Sequence, residues 1–242
     1  MARTPIRETT IELGGKRLPV RLYRNKRARR IILRIDGRNG DGDSNGDGVS
    51  VTLPRGTPPE EGLKLINEKA QWVLERLGGL PPRVAFADGA SVPLGGVEHT
   101  IRHVPHKRGV VRRQGAEILV AGRPEHLARR IRDWFRKEAR SKIGRLVGDK
   151  AAALNRTAGR ITIRDTRSRW GSCSAGGNLS FCWRLVMAPE TVLDYVVAHE
   201  VAHLAEPHHG PKFWRLVETL TSDMEASREW LKLNGEALHR YG

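Results

Sequence analysis

The segment His199-Glu200-Val201-Ala202-His203 is an H-E-x-x-H arrangement. On a helix, residues four apart lie one turn above each other, so the two imidazoles share a face and reach one metal ion, for which zinc is the expected occupant. Glu200 stands beside the first imidazole and can address a water activated by that metal. A catalytic zinc takes three protein ligands and keeps a fourth position for water. His209, six residues after His203 and beyond Pro207, is the candidate third ligand. Proline breaks the helix there, which lets the chain fold a side chain back towards the metal. The interval matches H-E-x-x-H-x-x-G-x-x-H, with Glu206 in the place of the glycine. His208 is a rival third ligand and Glu206 a weaker one.

The elements around the motif must hold these side chains. Pro189 and Glu190 suit the first turn of a helix, and Val192, Leu193, Val196 and Val197 give it the apolar side that burial against a sheet requires. Residues 161–164 and 178–185 read as strands, separated by a turn-rich stretch at 172–177. Two more helices follow, one carrying Phe213, Trp214, Leu216, Val217 and Leu220, the other Trp230, Leu231 and Leu238.

Several stretches of this half share a pattern. They are Arg169-Trp170-Gly171-Ser172-Cys173-Ser174, Asn178-Leu179-Ser180-Phe181-Cys182-Trp183-Arg184-Leu185, Ala188-Pro189, Leu193 through Leu204, and His209-Gly210-Pro211-Lys212-Phe213-Trp214. The pattern resembles the YgjP-like family of bacterial zinc metallopeptidases, closely over residues 160–235 and diffusely upstream. That family is similar in turn to WLM and SprT-like proteases, some of which act on proteins crosslinked to DNA. The resemblance implies a zincin-type catalytic domain with zinc on His199, His203 and His209 and with Glu200 as the base. Cys182 and His208 stand where the pattern has Asn, and Gly210 where it has Ser, which touches the surroundings of the site rather than its ligands.

Candidate substrate-binding residues are Arg169 and Arg184, whose guanidinium groups could polarise a carbonyl or orient a substrate, and Trp170 and Trp183, which together with Trp214 could line a cleft. Large aromatics beside a short sheet serve equally as core. Asp194 could accept a hydrogen bond from a histidine, and Tyr195 reads as packing. Residues 178–185 are the expected edge strand for an extended substrate.

Upstream, residues 20–23, 30–35 and 49–53 read as antiparallel strands, and a helix opens at Pro58-Pro59 with Leu63, Ile66, Ala70, Val73, Leu74 and Leu77 on one side. Short strands resume at 92–94, 98–104 and 118–120. One long helix or two then occupy 124–154, with Leu127, Ile131, Trp134, Phe135 and Ile143 buried. No internal repeat is visible. The loop Asp41-Gly42-Asp43-Ser44-Asn45-Gly46-Asp47-Gly48 alternates oxygen side chains as a calcium loop does, but its twelfth position is Thr52 rather than a bidentate Glu, so no calcium binding is expected.

The 242 residues carry 43 Lys+Arg against 27 Asp+Glu, net +16. From Ile161 onward 9 basic face 10 acidic residues, so the upstream part holds 34 against 17 and the whole excess. Such a surface could bind nucleic acid without sequence preference, although aromatics for base stacking are scarce there. Cys173 and Cys182 are too few for a disulfide framework and are expected as free thiols. No apolar run is long enough to span a bilayer and the opening residues lack a signal peptide, which predicts a cytoplasmic protein without membrane contact.

The expected fold is α+β, with a basic β-rich region containing one helix at 1–122. A zincin-like domain at 123–242 packs a short mixed sheet against the metal-bearing helix. The expected function is zinc-dependent hydrolysis of peptide bonds in a peptide or protein substrate. The alternative is a DNA-associated binding protein with a zinc-stabilised fold and little or no turnover.

Overall fold

The computed structural model describes residues 4–36, 47–106, 109–166 and 168–242. It is a mixed α and β structure that divides into two compact units, Met1–Pro81 and Pro82–Gly242. Each has its own apolar core.

In the first unit, strands β1 (Arg7–Leu13) and β2 (Lys16–Arg24) form a hairpin across Gly14 and Gly15. Both glycines have positive φ, 55° and 73°, the backbone that a two-residue hairpin turn demands. Strands β3 (Ile32–Asp36) and β4 (Gly48–Leu53) complete a sheet of order β1-β2-β4-β3. Alternation puts Leu18, Val20 and Leu22 of β2 and Val49, Val51 and Leu53 of β4 inside. Helices α1 (Pro59–Glu68) and α2 (Ala70–Gly78) cover that side with Ile66 and Val73. The expected single helix is thus two, broken at Lys69, whose φ and ψ of −102° and 21° are not helical. The expected antiparallel set is also corrected, because β2 and β4 run parallel. Strand β1 went unread, since its solvent-facing Arg, Glu and Thr residues leave little apolar signal. Of the calcium-like loop, residues 41–46 lie outside the described residues, and Thr52 is buried in β4.

The second unit opens with strands β5 (Ser91–Leu94), β6 (Val97–His103), β7 (Val111–Gln114) and β8 (Glu117–Val120) in the order β5-β6-β8-β7. Its plan repeats that of the first sheet: two antiparallel hairpins joined through a parallel central pair. Leu13-Gly14-Gly15 and Leu94-Gly95-Gly96 occupy the same turn. This internal repeat escaped the sequence reading because the connection at 37–47 in one copy shrinks to Gly115-Ala116 in the other, which destroys a fixed period.

Helix α3 (Leu127–Ala153) is a single helix after a short 3-10 turn at Pro124–His126. It buries every fourth residue, Leu127, Ile131, Phe135, Ala139, Ile143, Val147 and Ala151, against the core. Trp134 is only partly buried. A second sheet follows, with order β10-β11-β9, from β9 (Ile161–Arg164), β10 (Gly171–Cys173) and β11 (Leu179–Cys182). Strand β11 is therefore central, which corrects the expectation of an edge strand at 178–185. It pairs antiparallel with β10 and parallel with β9, while residues 183–187 form a 3-10 turn. Helices α4 (Glu190–Ala202), α5 (Pro211–Leu220) and α6 (Met224–Leu238) complete the unit. Residues 91–120, expected to belong with the N-terminal region, contribute Val92, Leu94, Ile101, Ile118 and Val120 to the same core as α3 and α4. Among the described residues, no helix is long and apolar enough to cross a membrane.

Candidate metal centre and active-site cleft

Helix α4 is apolar nearly all round, and it lies inside the second unit against α3, α5, α6 and β10. Its start is fixed by the β5–β6 turn: the N–H groups of Gly95 and Gly96 donate to the carbonyls of Val186 and Met187 at 2.8 and 3.1 Å. The helix is pinned to α3 by Lys150, whose Nζ lies 2.7 Å from the Asp194 carboxylate. Asp194 is thereby committed to a lysine and not to a histidine, as the sequence had allowed.

At the other end of α4 the three histidines converge. The Nε2 atoms of His199 and His209 lie 3.0 Å apart, and one nitrogen from each of His199, His203 and His209 falls within 4.8 Å of the others. The Nδ1 of His203 donates to the Glu206 carbonyl at 3.1 Å, which leaves its Nε2 as the lone-pair atom. Glu206 thus acts through its backbone. Burial first, and then the neighbouring His203 and His209, lower the His199 pKa to about 4. Burial also lowers that of His203. Neutral imidazoles offer lone pairs to a metal, and three such nitrogens beside an open cleft fit a divalent ion that keeps a free position.

Two residues that the sequence marked only as helix-side or cleft aromatics hold this cluster. Phe213, fully buried in the first turns of α5, has its ring centroid 4.9, 4.5 and 4.7 Å from those of His199, His203 and His209. Trp214 stacks on His209. Pro211 at the start of α5 fixes where this pair begins, and the Phe-Trp doublet just after the last histidine was the available signal.

Glu200 is buried, 7 % exposed. Burial pushes its carboxyl up to about 7, opposed by the Arg169 guanidinium and by a hydrogen bond from the Cys173 backbone N–H. Gly171 makes room for it. A Cβ there would stand 2.4 to 2.7 Å from Cγ, Oε1 and Cδ of Glu200, so only glycine lets β10 pass the carboxylate at this distance.

A cleft of about 1040 Å³ opens in front of these groups. One wall is β10 and the turn after it, including Gly171, Ser172 and Cys173. The other includes the end of α3, where Asn155 takes the left-handed conformation (φ 53°) and the Arg156 N–H returns to the Ala151 carbonyl at 2.9 Å.

The four candidate substrate residues separate. Trp183 is fully buried and packs on Phe86 and Phe135. Arg184, 4 % exposed, pairs with Asp165, donates to the Tyr241 carbonyl at 3.1 Å and lies over the Trp183 ring. Neither lines the cleft, so both are corrected to core and tail-anchoring roles. Trp170 stacks on His239 at the flank of Gly235, a packing position. Arg169 is exposed and acts on Glu200 through its charge. Cys173 and Cys182 are free thiols.

The family model described as YgjP-like, metallopeptidase domain, matches residues 43–234. No curated protein matches the chain. Among solved structures, the metallopeptidase zymogen of Pyrococcus abyssi abylysin is similar at 20% identity, covering 39% of this chain and 93% of its own, with a TM-score of 0.34. That of Methanocaldococcus jannaschii jannalysin gives 24% identity, 39% and 96% coverage and 0.34. At these TM-scores neither overlay bears on the fold.

Proposed function

We propose, from the premise that this chain belongs to the YgjP-like metallopeptidase family, that it is a zinc peptidase of the zincin type with its chemistry centred on α4. The carrying observation is the convergence of three imidazole nitrogens beside a buried carboxylate at the mouth of a cleft. His199, His203 and His209 would hold the metal. When bound, zinc supplies Lewis acidity that polarises the scissile carbonyl and acidifies a water. Glu200 takes the proton of the attacking water on a carboxylate oxygen as the new C–O bond forms. It then delivers that proton to the departing amine nitrogen as the C–N bond breaks. A carboxyl raised to about 7 is well matched to both halves of this transfer. Its place between β10 and α4, on the cleft wall, keeps it aimed. Arg169 stabilises its ionised form and is the remaining candidate for orienting substrate.

An extended peptide would lie along the free edge of β10, because β10 is the outer strand of its sheet and lines the cleft. The alternative, a zinc-stabilised binding protein without turnover, is not favoured. A structural zinc site is closed by four ligands, whereas here three face a cleft beside a base.

The test is Glu200→Gln. The variant is expected to keep about one zinc per chain by elemental analysis, since Glu200 is not a ligand. Cleavage of a mixed peptide library or of an unfolded protein is expected to fall on the order of a hundred- to ten-thousandfold. An undiminished rate with metal bound would sink the mechanism.

A further inference from the structure

We propose that the groove between α3 and β9 is a binding site for the phosphodiester backbone of double-stranded nucleic acid. The groove, about 450 Å³, is lined by Arg136, Lys137 and Arg140 of α3 and by Ile163 of β9, and among the described residues no carboxylate contributes to its wall. It shares no lining residue with the peptidase cleft.

Some cations of α3 serve its own packing, whereas Arg132 and Arg145, like those of the groove, make no ion pair among the described residues. Lys142 and Lys150, on the side packed against α4, are paired with Glu190 and Asp194, and Arg129 is paired with Asp133. Arg136, Lys137 and Arg140 are exposed and make no ion pair among the described residues. Arg136 and Arg140 are four residues apart, so two like charges share one helix face, an arrangement that disfavours the helix. Ala139, between them, faces the core, so the helix turns Arg136 and Arg140 outward. A fold has nothing to gain from this repulsion, whereas an anion in the groove relieves it.

The chemistry favours phosphate in a regular array. Guanidinium forks match phosphate oxygens, and a duplex carries about one negative charge per 1.7 Å of axis, so adjacent phosphates reach neighbouring cations of the groove. Base stacking is not the mode of binding. Trp134, two residues before Arg136, is partly buried and turned onto Phe135, with ring centroids 5.3 Å apart, and among the described residues no aromatic lines the groove to stack single-strand bases. These cations belong to the excess of positive charge upstream of Ile161, which attracts a polyanion without selecting a sequence.

The experiment uses the full chain and a short fluorescein-labelled DNA duplex, followed by anisotropy between about 50 and 200 mM salt. The triple variant Arg136→Ala, Lys137→Ala, Arg140→Ala is compared with one that removes the same charge from the first unit, Lys26→Ala, Arg29→Ala, Arg30→Ala. Alanine has the highest helix propensity, so α3 is retained, as circular dichroism will verify. Should its helical signal fall, Arg136→Gln with Arg140→Gln takes its place. The groove variant is expected to bind at least about tenfold more weakly and to lose about 2 to 3 from the slope of log K against log salt, the control less than about threefold. Glu200→Gln is expected to bind like the native chain. Equal losses in both variants, an unweakened groove variant, or a native chain that binds no duplex would each overturn the proposal. Displacement of the duplex by poly-glutamate at equal charge concentration would overturn the choice of nucleic acid over acidic protein.

Discussion

At the scale of residues, the metal hypothesis turns on which histidine after Pro207 joins the helix pair. His209 has its Nε2 3.0 Å from that of His199 and is backed by Phe213 and Trp214, whereas His208 is exposed and belongs to no such cluster among the described residues. His209→Ala is therefore expected to lose bound metal by elemental analysis, and His208→Ala to keep it. Equal retention in the two would exclude His209 as a ligand. Gly171 yields a second expectation. A methyl group within 2.4 to 2.7 Å of the Glu200 side chain must displace a carboxylate that has nowhere buried to go. Gly171→Ala is expected to retain metal while peptide cleavage falls on the order of a hundredfold, the low end of the loss of a positioned base. A variant as active as the native chain would show that the carboxylate tolerates the shift. The histidines and Glu200 were legible because ligand spacing on a helix is a local property. The role of Gly171 was not, because its reason lies across the gap between β10 and α4.

At the scale of elements, α3 is the beam against which the catalytic half is built. Its period-four apolar stripe runs from Leu127 to Ala151 and meets both sheets and α4. Ile131 is fully buried in that stripe. Ile131→Ala leaves a cavity and is expected to destabilise the second unit by about 2–5 kcal/mol in denaturant unfolding, with metal stoichiometry unchanged in the folded protein. A loss below about 0.5 kcal/mol, the size of a surface substitution, would mean that the helix is not integral to the core. The existence of this helix was readable from its periodicity. That β11 is central and β10 outermost was not, since the apolar run at 179–182 suits either position and pairing partners are chosen by sheet assembly.

At the scale of the whole molecule, the two cores share no residue among those described. Residues 82–242, which include every metal-cluster histidine, Glu200 and the cleft, are expected to unfold cooperatively when expressed alone and to bind about one zinc per chain. A fragment that shows no cooperative transition and binds no metal would make the first unit part of the catalytic fold. The sequence placed its main division at 122/123, where the charged, strand-rich part gives way to the long helix. Packing instead groups the sheet of β5 to β8 with α3 and α4. Charge is a property of surfaces and does not report which core a strand's inner face joins.

What the sequence determined by itself were features carried by neighbours along the chain: the helix with its four-residue histidine spacing, the apolar stripe of α3 and the family pattern. The tertiary structure decided what depends on residues far apart meeting. It set Arg184 on Asp165 and Tyr241 rather than in a cleft, Asp194 on Lys150 rather than on a histidine, and Phe213 behind three imidazoles. It also exposed a repeated sheet plan hidden by unequal loops. The physical reason is the same in each case. A side chain's type fixes what interactions it can make, but burial and the choice of partner are settled only when distant segments compete for the same space and the same charge.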